Sequence, residues 1–299
     1  MNDAKLSSGF RVGHWTHEEA ATGCTVVLAP EATVGSYDIR GSSPSTREIA
    51  HLHPDTKLTE IHAVVLCGGS AFGLAACDGV VGWLEERKTG YRTPVGVVPI
   101  VAGAVIFDLA AGRSDVRPGA GEGRAACDAA ADTFPTGRVG VGAGATVGKW
   151  GGYDAAAPGG FGWGAASEEG LQVAAVAVVN SVGDVIGESG EVIAGTSNPF
   201  PSMRRPPEAD PTGTVLACVT TSARLGKRAC RWLAARGADG ITVSVRPAHT
   251  RYDGDVVFAL ASAPESEADV EPNDLDVLGH LATIAVARAV RSAVAATRS

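Results

Sequence analysis

Thr214 follows a glycine and opens a run of apolar, strand-forming residues, Val215-Leu216-Ala217-Cys218-Val219. Cutting the Gly213–Thr214 bond would leave a hydroxyl and an α-amine side by side on Thr214. That pair is a nucleophile with its own general base. A Thr opening a strand is also ordinary, because β-branched residues favour strands. Other groups could serve such a nucleophile. Lys149 ends a glycine-rich apolar run, VGVGAGATVG, and is either a solvated turn residue or a charge aimed into a pocket. Asn180 ends an apolar strand, where Asn commonly satisfies local backbone groups. Asp253 and Asp255 flank Gly254, the pattern of a tight surface turn. A calcium loop would need further ligands, and the sequence supplies no evident ones, so no metal is expected. GGSAFG at 68–73 could cradle a phosphate at a strand-to-helix turn. It lacks the Lys-Ser/Thr of a P-loop and is not GxGxxG, so close backbone packing is the better reading and no cofactor is expected.

These residues need elements to hold them. Apolar runs predict strands at 24–29, with a partner at 32–39, and at 61–67, 95–106, 139–148, 159–168, 171–180, 214–221, 241–245 and 256–262. Pro99 marks an edge or bulge in one of them. The 171–179 run is almost wholly apolar, as a strand buried on both faces would be. Helical spacing of apolar residues predicts helices at 74–88, 121–131, 223–236 and 273–296. Gly237 reads as the C-cap of the third. Arg47 and Glu48 read as a surface helix start. Residues 195–213, with Asn198-Pro199-Phe200-Pro201 and Arg204-Arg205-Pro206-Pro207, form a Pro-rich linker without periodicity. It ends at Gly213, so an exposed arm runs into a buried strand. Strands and helices in mixed order predict an α/β sandwich with sheets inside and helices outside.

Composition narrows the function classes. The chain has 299 residues, 45% of them hydrophobic, and a net charge of −8 without a long charge run. An acidic, solvated surface argues against a nucleic-acid partner. The sequence shows no signal peptide and no membrane-length apolar run, so a cytoplasmic protein is expected. Six cysteines lack any CxxC pair and read as free, buried apolar residues. Glycine, 39 residues, is roughly twice its average share of about 7%. The glycines are spread through apolar runs, which implies close backbone approaches.

Six segments in the same order carry a family resemblance over nearly the whole chain. They are GSSPSTRE at 41–48, LCGGSAFGL at 66–74, VPIVAGAVIFDL at 98–109, GATVGKW at 144–150, VVNSVGDV at 178–185 and HTRYDGDVVFALA at 249–261. The chain resembles the aminopeptidases and amidases that cut themselves to expose an N-terminal Ser or Thr. These include L-aminopeptidase/D-amidase-esterases, β-peptidyl aminopeptidases and nylon-oligomer hydrolases. The resemblance implies a four-layer α-β-β-α fold, similar to N-terminal-nucleophile hydrolases but differently connected. It implies one domain, 1–299, cleaved between Gly213 and Thr214 into an α segment, 1–213, and a β segment, 214–299. It also implies a homo-oligomer, a tetramer or larger.

Carried over by motif, Thr214 matches the nucleophile and Lys149 the lysine that the nylon-hydrolase branch places beside it. Asn180 matches the asparagine suited to an oxyanion hole. Asp253 and Asp255 match the acids that orient the nucleophile and its ammonium. Many relatives have Asn before the cut, where this chain has Gly213. The expected activity is hydrolysis of amide bonds in short peptides or small amides through an acyl-enzyme. Three alternatives stand beside it: nylon-oligomer (6-aminohexanoate) amidase, acyl transfer to an amine as in ornithine acetyltransferases, and an uncleaved, non-enzymatic oligomer. Tyr91, Trp150, Phe161 and Trp163 are candidate pocket liners, with core packing an equal reading for each.

Overall fold

Strand-length runs of Val, Ala, Leu and Ile form two five-stranded sheets in the computed structural model, which describes residues 4–197, 212–263 and 270–297. In chain order their strands are β1 (Arg11–His17), β2 (Thr22–Leu28), β3 (Val34–Ile39), β4 (Thr46–Arg47), β5 (Ala63–Cys67), β6 (Val101–Val105), β7 (Gly160–Glu168), β8 (Leu171–Asn180), β9 (Thr214–Thr221) and β10 (Val256–Ala261). The α-helices are α1 (Ala76–Glu86), α2 (Ala120–Asp128), α3 (Lys227–Thr242) and α4 (Pro272–Ala295).

The first sheet runs β1-β2-β5-β6-β4 and the second β7-β8-β9-β10-β3. Each is an antiparallel hairpin, a third antiparallel strand, a parallel neighbour and an antiparallel edge. A helix crosses over between the two parallel strands of each sheet, α1 in the first and α3 in the second, as parallel pairing requires. A further helix, α2 or α4, follows the last of those strands. The two sheets are therefore built on one plan, and in each the edge strand next to the parallel pair, β4 or β3, comes from the 34–47 segment.

Side-chain alternation distributes the strands over three apolar layers. Val215, Ala217 and Val219 of β9 pack with Leu233, Ala238, Leu281 and Ala285 of α3 and α4. Leu216 and Cys218 of the same strand face Val64 and Leu66 of β5 between the sheets. Val65 and Cys67 of β5 meet Cys77, Val80 and Leu84 of α1 on the outer side. Helices outside and two sheets within give a four-layer α-β-β-α sandwich. All six cysteines are free and buried in it.

Glycine sets how closely the layers approach. A Cβ added at Gly162 of β7 would stand 2.1 Å from Ala289 O, and one at Gly164 2.3 Å from Ala285 O. The alanine-rich face of α4 therefore lies directly on the β7 backbone. α4 is long and apolar enough to cross a membrane, yet most of that stretch is buried in this fold.

Several sequence expectations are corrected. The 95–106 run is not one strand: 91–93 and 96–98 form a small hairpin, and β6 starts after Pro99. The 139–148 run is a 3-10 turn and a two-residue strand, because its glycines favour turns. Residues 70–75 are 3-10 before α1 begins. α3 starts at Lys227 and runs to Thr242, taking the first two residues of the segment expected as a strand at 241–245, of which only Val245 is extended, in a two-residue strand with Arg246. Gly237 is inside it, where a Cβ would stand 3.0 Å from Val257 Cγ1 and 3.1 Å from Val219 Cγ2. That glycine serves helix-on-sheet contact and is not a cap. Arg47 belongs to edge strand β4 and pairs with Asp78 of α1 at 2.7 Å, while Glu48 stands at the start of a short 3-10 helix, Ile49–Leu52. Most of the expected linker, 198–211, lies outside the described residues.

Candidate active site

The start of β9 sits in the middle of the second sheet, with β8 on one side and β10 on the other. Register places Thr214 directly opposite Asn180. Thr214 is 5% exposed. Its hydroxyl donates to the carbonyl oxygen of Gly213, which also accepts the Gly254 N–H at 3.0 Å. Gly213 N–H donates to Tyr252 O at 3.2 Å. A cavity of about 290 Å³ opens onto this peptide bond, lined by Ser43, Ser45, Ser70, Phe107 and Tyr252 beside Gly213 and Thr214. Phe161 is fully buried between the sheets, and Tyr91, Trp150 and Trp163 do not line this cavity. Tyr153 holds the approach, its hydroxyl 2.8 Å from Thr212 Oγ1 and accepting Thr212 N–H at 3.0 Å.

The Asp253-Gly254-Asp255 turn is not on the surface: the two acids are 1% and 2% exposed. Ser43 and Arg40 N–H groups donate to the carbonyls of Asp253 and Asp255, at 3.0 and 3.1 Å, and so cover the turn. The Asp253 carboxylate accepts Val182 N–H at 3.1 Å, Thr250 N–H at 2.9 Å and the Thr250 hydroxyl at 2.6 Å. Burial, and then the charge of Asp255, push its pKa up to about 6. Asp255 accepts Val215 N–H at 2.6 Å and faces His249 Nδ1 at 2.7 Å. Gly254 is required between them, since a Cβ there would stand 2.6 Å from Ser43 O and 3.0 Å from Thr214 Oγ1.

Lys149 is likewise not a solvated turn residue. It opens a short 3-10 turn after Gly148, whose φ is 76°, and is 1% exposed. Its Nζ donates to Asn180 O at 2.6 Å and to Asn180 Oδ1 at 2.8 Å. Burial pulls its pKa down to about 7, against the opposing charges of Asp253, Asp255 and Asp108. Asn180 is fully buried, with Oδ1 also accepting Thr146 N–H at 3.0 Å and Nδ2 donating to Phe107 O at 3.1 Å. That pattern fixes which way the carboxamide points. One Nδ2 hydrogen is committed to Phe107, and the other is left over.

Asp108 and His249 were not singled out from the sequence. The glycine-rich 68–73 turn cradles the Asp108 carboxylate, not a phosphate. Asp108 Oδ1 accepts Gly69 N–H at 2.6 Å and Oδ2 accepts the Thr22 hydroxyl at 2.7 Å. A Cβ on Gly68 would stand 2.0 Å from Oδ2. Burial raises the pKa of Asp108 while Lys149 opposes the rise. An acid closing an otherwise apolar strand was the available signal for it. The structure thus brings Thr214, Gly213, Lys149, Asn180, Asp253 and Asp255 together at the ends of β8, β9 and β10. A hydroxyl held on a carbonyl, with a carboxamide on the facing strand end and a buried lysine bonded to that carboxamide, supplies the components of acyl transfer.

The architecture is that of the Ntn-hydrolase-type aminopeptidases. The β-aminopeptidase of a Burkholderia species matches with a TM-score of 0.74 at 18% identity, over 99% of this chain and 88% of that one. The L-aminopeptidase D-Ala-esterase/amidase of Ochrobactrum anthropi, described as a variant of the Ntn-hydrolase fold, matches with the same score, identity and coverage. Peptidase family S58 matches residues 7–299, and the chain belongs to that family, which places it among the hydrolases of amide bonds. An uncharacterized aminopeptidase of Mycobacterium leprae is 40% identical over 346 residues, covering 100% of this chain and 91% of its own length. The 6-aminohexanoate-oligomer endohydrolase of an Agromyces species is 30% identical over 273 residues, covering 85% of this chain and 73% of its own length.

Proposed function

We propose that the chain cuts itself between Gly213 and Thr214, and that the new Thr214 N-terminus then hydrolyses amide bonds of short peptides or small amides. The observation that carries this reading is the Thr214 hydroxyl held against the carbonyl of its own preceding residue, opposite Asn180, which in turn holds the buried Lys149. In the first reaction Thr214 Oγ adds to the Gly213 carbonyl carbon and its proton passes to neutral Lys149. The C–N bond then breaks as the Thr214 nitrogen takes that proton, leaving a Gly213–Thr214 ester. Water hydrolyses the ester to a Gly213 carboxylate and restores the Thr214 hydroxyl, now beside a free amine. Segments 1–213 and 214–299 stay together, because β9 and β10 are interior strands of a shared sheet.

The same groups run the second reaction. Thr214 Oγ attacks a substrate amide while its amine or Lys149 takes the proton. The uncommitted Asn180 Nδ2 hydrogen supports the oxyanion, an effect worth about 3–4 kcal/mol in comparable sites. Protonated leaving amine departs, and water hydrolyses the acyl ester. Asp253 and Asp255 orient the Thr214 backbone and balance the ammonium charges. The cavity lining carries hydroxyls and aromatic rings and, among the described residues, no charged side chain. An uncharged amide segment fits it, so linear 6-aminohexanoate oligomers and amino-acid amides are the paired probes.

Intact mass and N-terminal sequencing of the purified protein test the reading. The expected result is two fragments, one ending at Gly213 and one beginning at Thr214, with Thr214→Ala uncut and inactive. A Thr214→Ala protein that still hydrolyses amides at the wild-type rate refutes it. Assembly into a homo-oligomer is part of the same proposal and is read by light scattering.

A further inference from the structure

The loop that carries the two acids also carries His249, which the chemistry above does not use. Its backbone is left-handed, with φ 55°, uncommon for a residue other than glycine. Nδ1 lies 2.7 Å from Asp255 Oδ2. Nε2 lies 3.0 Å from Thr242 Oγ1 and 3.3 Å from Ala238 O, both in the last two turns of α3. A ring with a carboxylate on one nitrogen and a carbonyl on the other is satisfied by imidazolium, which donates at both. The C-terminal end of a helix also favours a cation. The second Asp255 oxygen holds Val215 N–H, the peptide directly after Thr214. One line of contacts thus runs from α3 through His249 and Asp255 to the backbone of the nucleophile.

We propose that His249 is a positioning residue which, as imidazolium, offsets the charge of Asp255 and so leaves Lys149 free to take the Thr214 hydroxyl proton. The proposal rests on the Thr214 and Lys149 roles given above. Asp255 is one of the charges that favour protonated Lys149, and a cation on its far side weakens that pull. The other charged groups around His249 are already paired. Arg40, following β3, contacts Asp38 at 2.6 Å and Asp239 of α3 at 3.5 Å, and Asp239 also meets Arg236 at 2.7 Å. Burial lowers the His249 pKa and Arg40 opposes protonation, but the Asp255 hydrogen bond and charge outweigh them, and the net shift is upward. His249 therefore holds its charge to higher pH than a free imidazole does.

Self-cleavage of the full chain is the readout, since it needs no external substrate. The chain is made by cell-free synthesis, moved into buffers from about pH 5 to about pH 9 to span the imidazole and lysine range, and followed by intact mass. His249→Asn keeps a donor for Asp255 and loses the charge. Its rate profile is expected to shift upward by about one pH unit, about tenfold slower below the limb and unchanged at the alkaline plateau. Thr242→Val, which keeps the ring and removes one Nε2 partner, shifts the profile the same way by less, and reads the proposal even where His249→Asn does not fold. Uniform slowing without a shift makes His249 merely structural and overturns the proposal, as does a profile identical to wild type. A wild-type chain that cleaves at no pH overturns the Thr214 reading instead. Thr214→Ala, run in parallel, separates self-cleavage from a contaminating protease.

Discussion

Gly213 has no room for a side chain in the uncut chain. A Cβ there would stand 2.2 Å from Asp253 Oδ1, 2.6 Å from Val182 N and 2.7 Å from Val182 Cγ2. Ordinary contacts would need about 1 Å of displacement of a buried carboxylate and of the backbone just past β8. Overpacking of this kind costs about 1–3 kcal/mol. Moving Asp253 off Val182 N–H also breaks a 3.1 Å bond to a charged acceptor, worth about 1.5–3 kcal/mol. Gly213→Ala is therefore expected to destabilise the precursor by about 3 kcal/mol. The comparison is made in a Thr214→Ala background, so that the 213–214 bond stays intact, with urea unfolding followed by circular dichroism. In a chain of this size the thermal midpoint falls by about 5 °C. In the processed protein Gly213 is a chain end and can swing away, so the Gly213→Ala single variant should regain the difference once cut. An Asn side chain at this position would meet the same wall. A Gly213→Ala, Thr214→Ala protein as stable as Thr214→Ala alone would refute the steric reasoning.

The acid limb of self-cleavage should follow Lys149, rising through about pH 7 and falling about tenfold for each unit below it; a rate flat across pH 6–8 excludes Lys149 as the base. The same group predicts a stability slope. Native Lys149 releases its proton near 7, far below the ordinary value of 10.5. The unfolded chain then binds more protons between those values, and stability rises with pH across that window. Lys149→Met should lose that rise, in denaturant titrations at two pH values, and stay uncut. Asn180→Ala should lower kcat by about 10²–10³ in steady-state assays and leave Lys149 Nζ and Thr146 N–H short of an acceptor, so its melting point also drops. Gly164→Ala forces a Cβ to 2.3 Å from Ala285 O; a loss of about 2 kcal/mol with normal cleavage is expected, and an unchanged unfolding midpoint counts against the close α4 packing.

The sequence determined whatever depends on near neighbours along the chain. Residues 171–180 and 214–221 read as buried strands because nearly every side chain in them is apolar, and both formed. The α4 stripe of Leu278, Leu281, Ala285 and Ala289 read as a helix face for the same local reason and packs on the second sheet. The order of six short segments pointed to the four-layer fold and to the residues that meet at the start of β9. Elements failed where glycine was ambiguous. The 139–148 run has strand-like apolar content but the conformational freedom of a turn, and Gly237 could cap a helix or seat it on a sheet. Only the tertiary structure decided the environment of the polar groups. Lys149 follows a glycine-rich turn and Asp253 and Asp255 flank a glycine, so local pattern placed them in water. What buries them is backbone from residues 40–43 and 180–182, distant in sequence. A lysine titrating near 7 and an aspartate near 6 follow from that burial, because desolvation and charge proximity are properties of three-dimensional neighbours. The surroundings of His249 were invisible for the same reason: its partners on α3 and in the Asp253–Asp255 turn converge on it only when the chain folds.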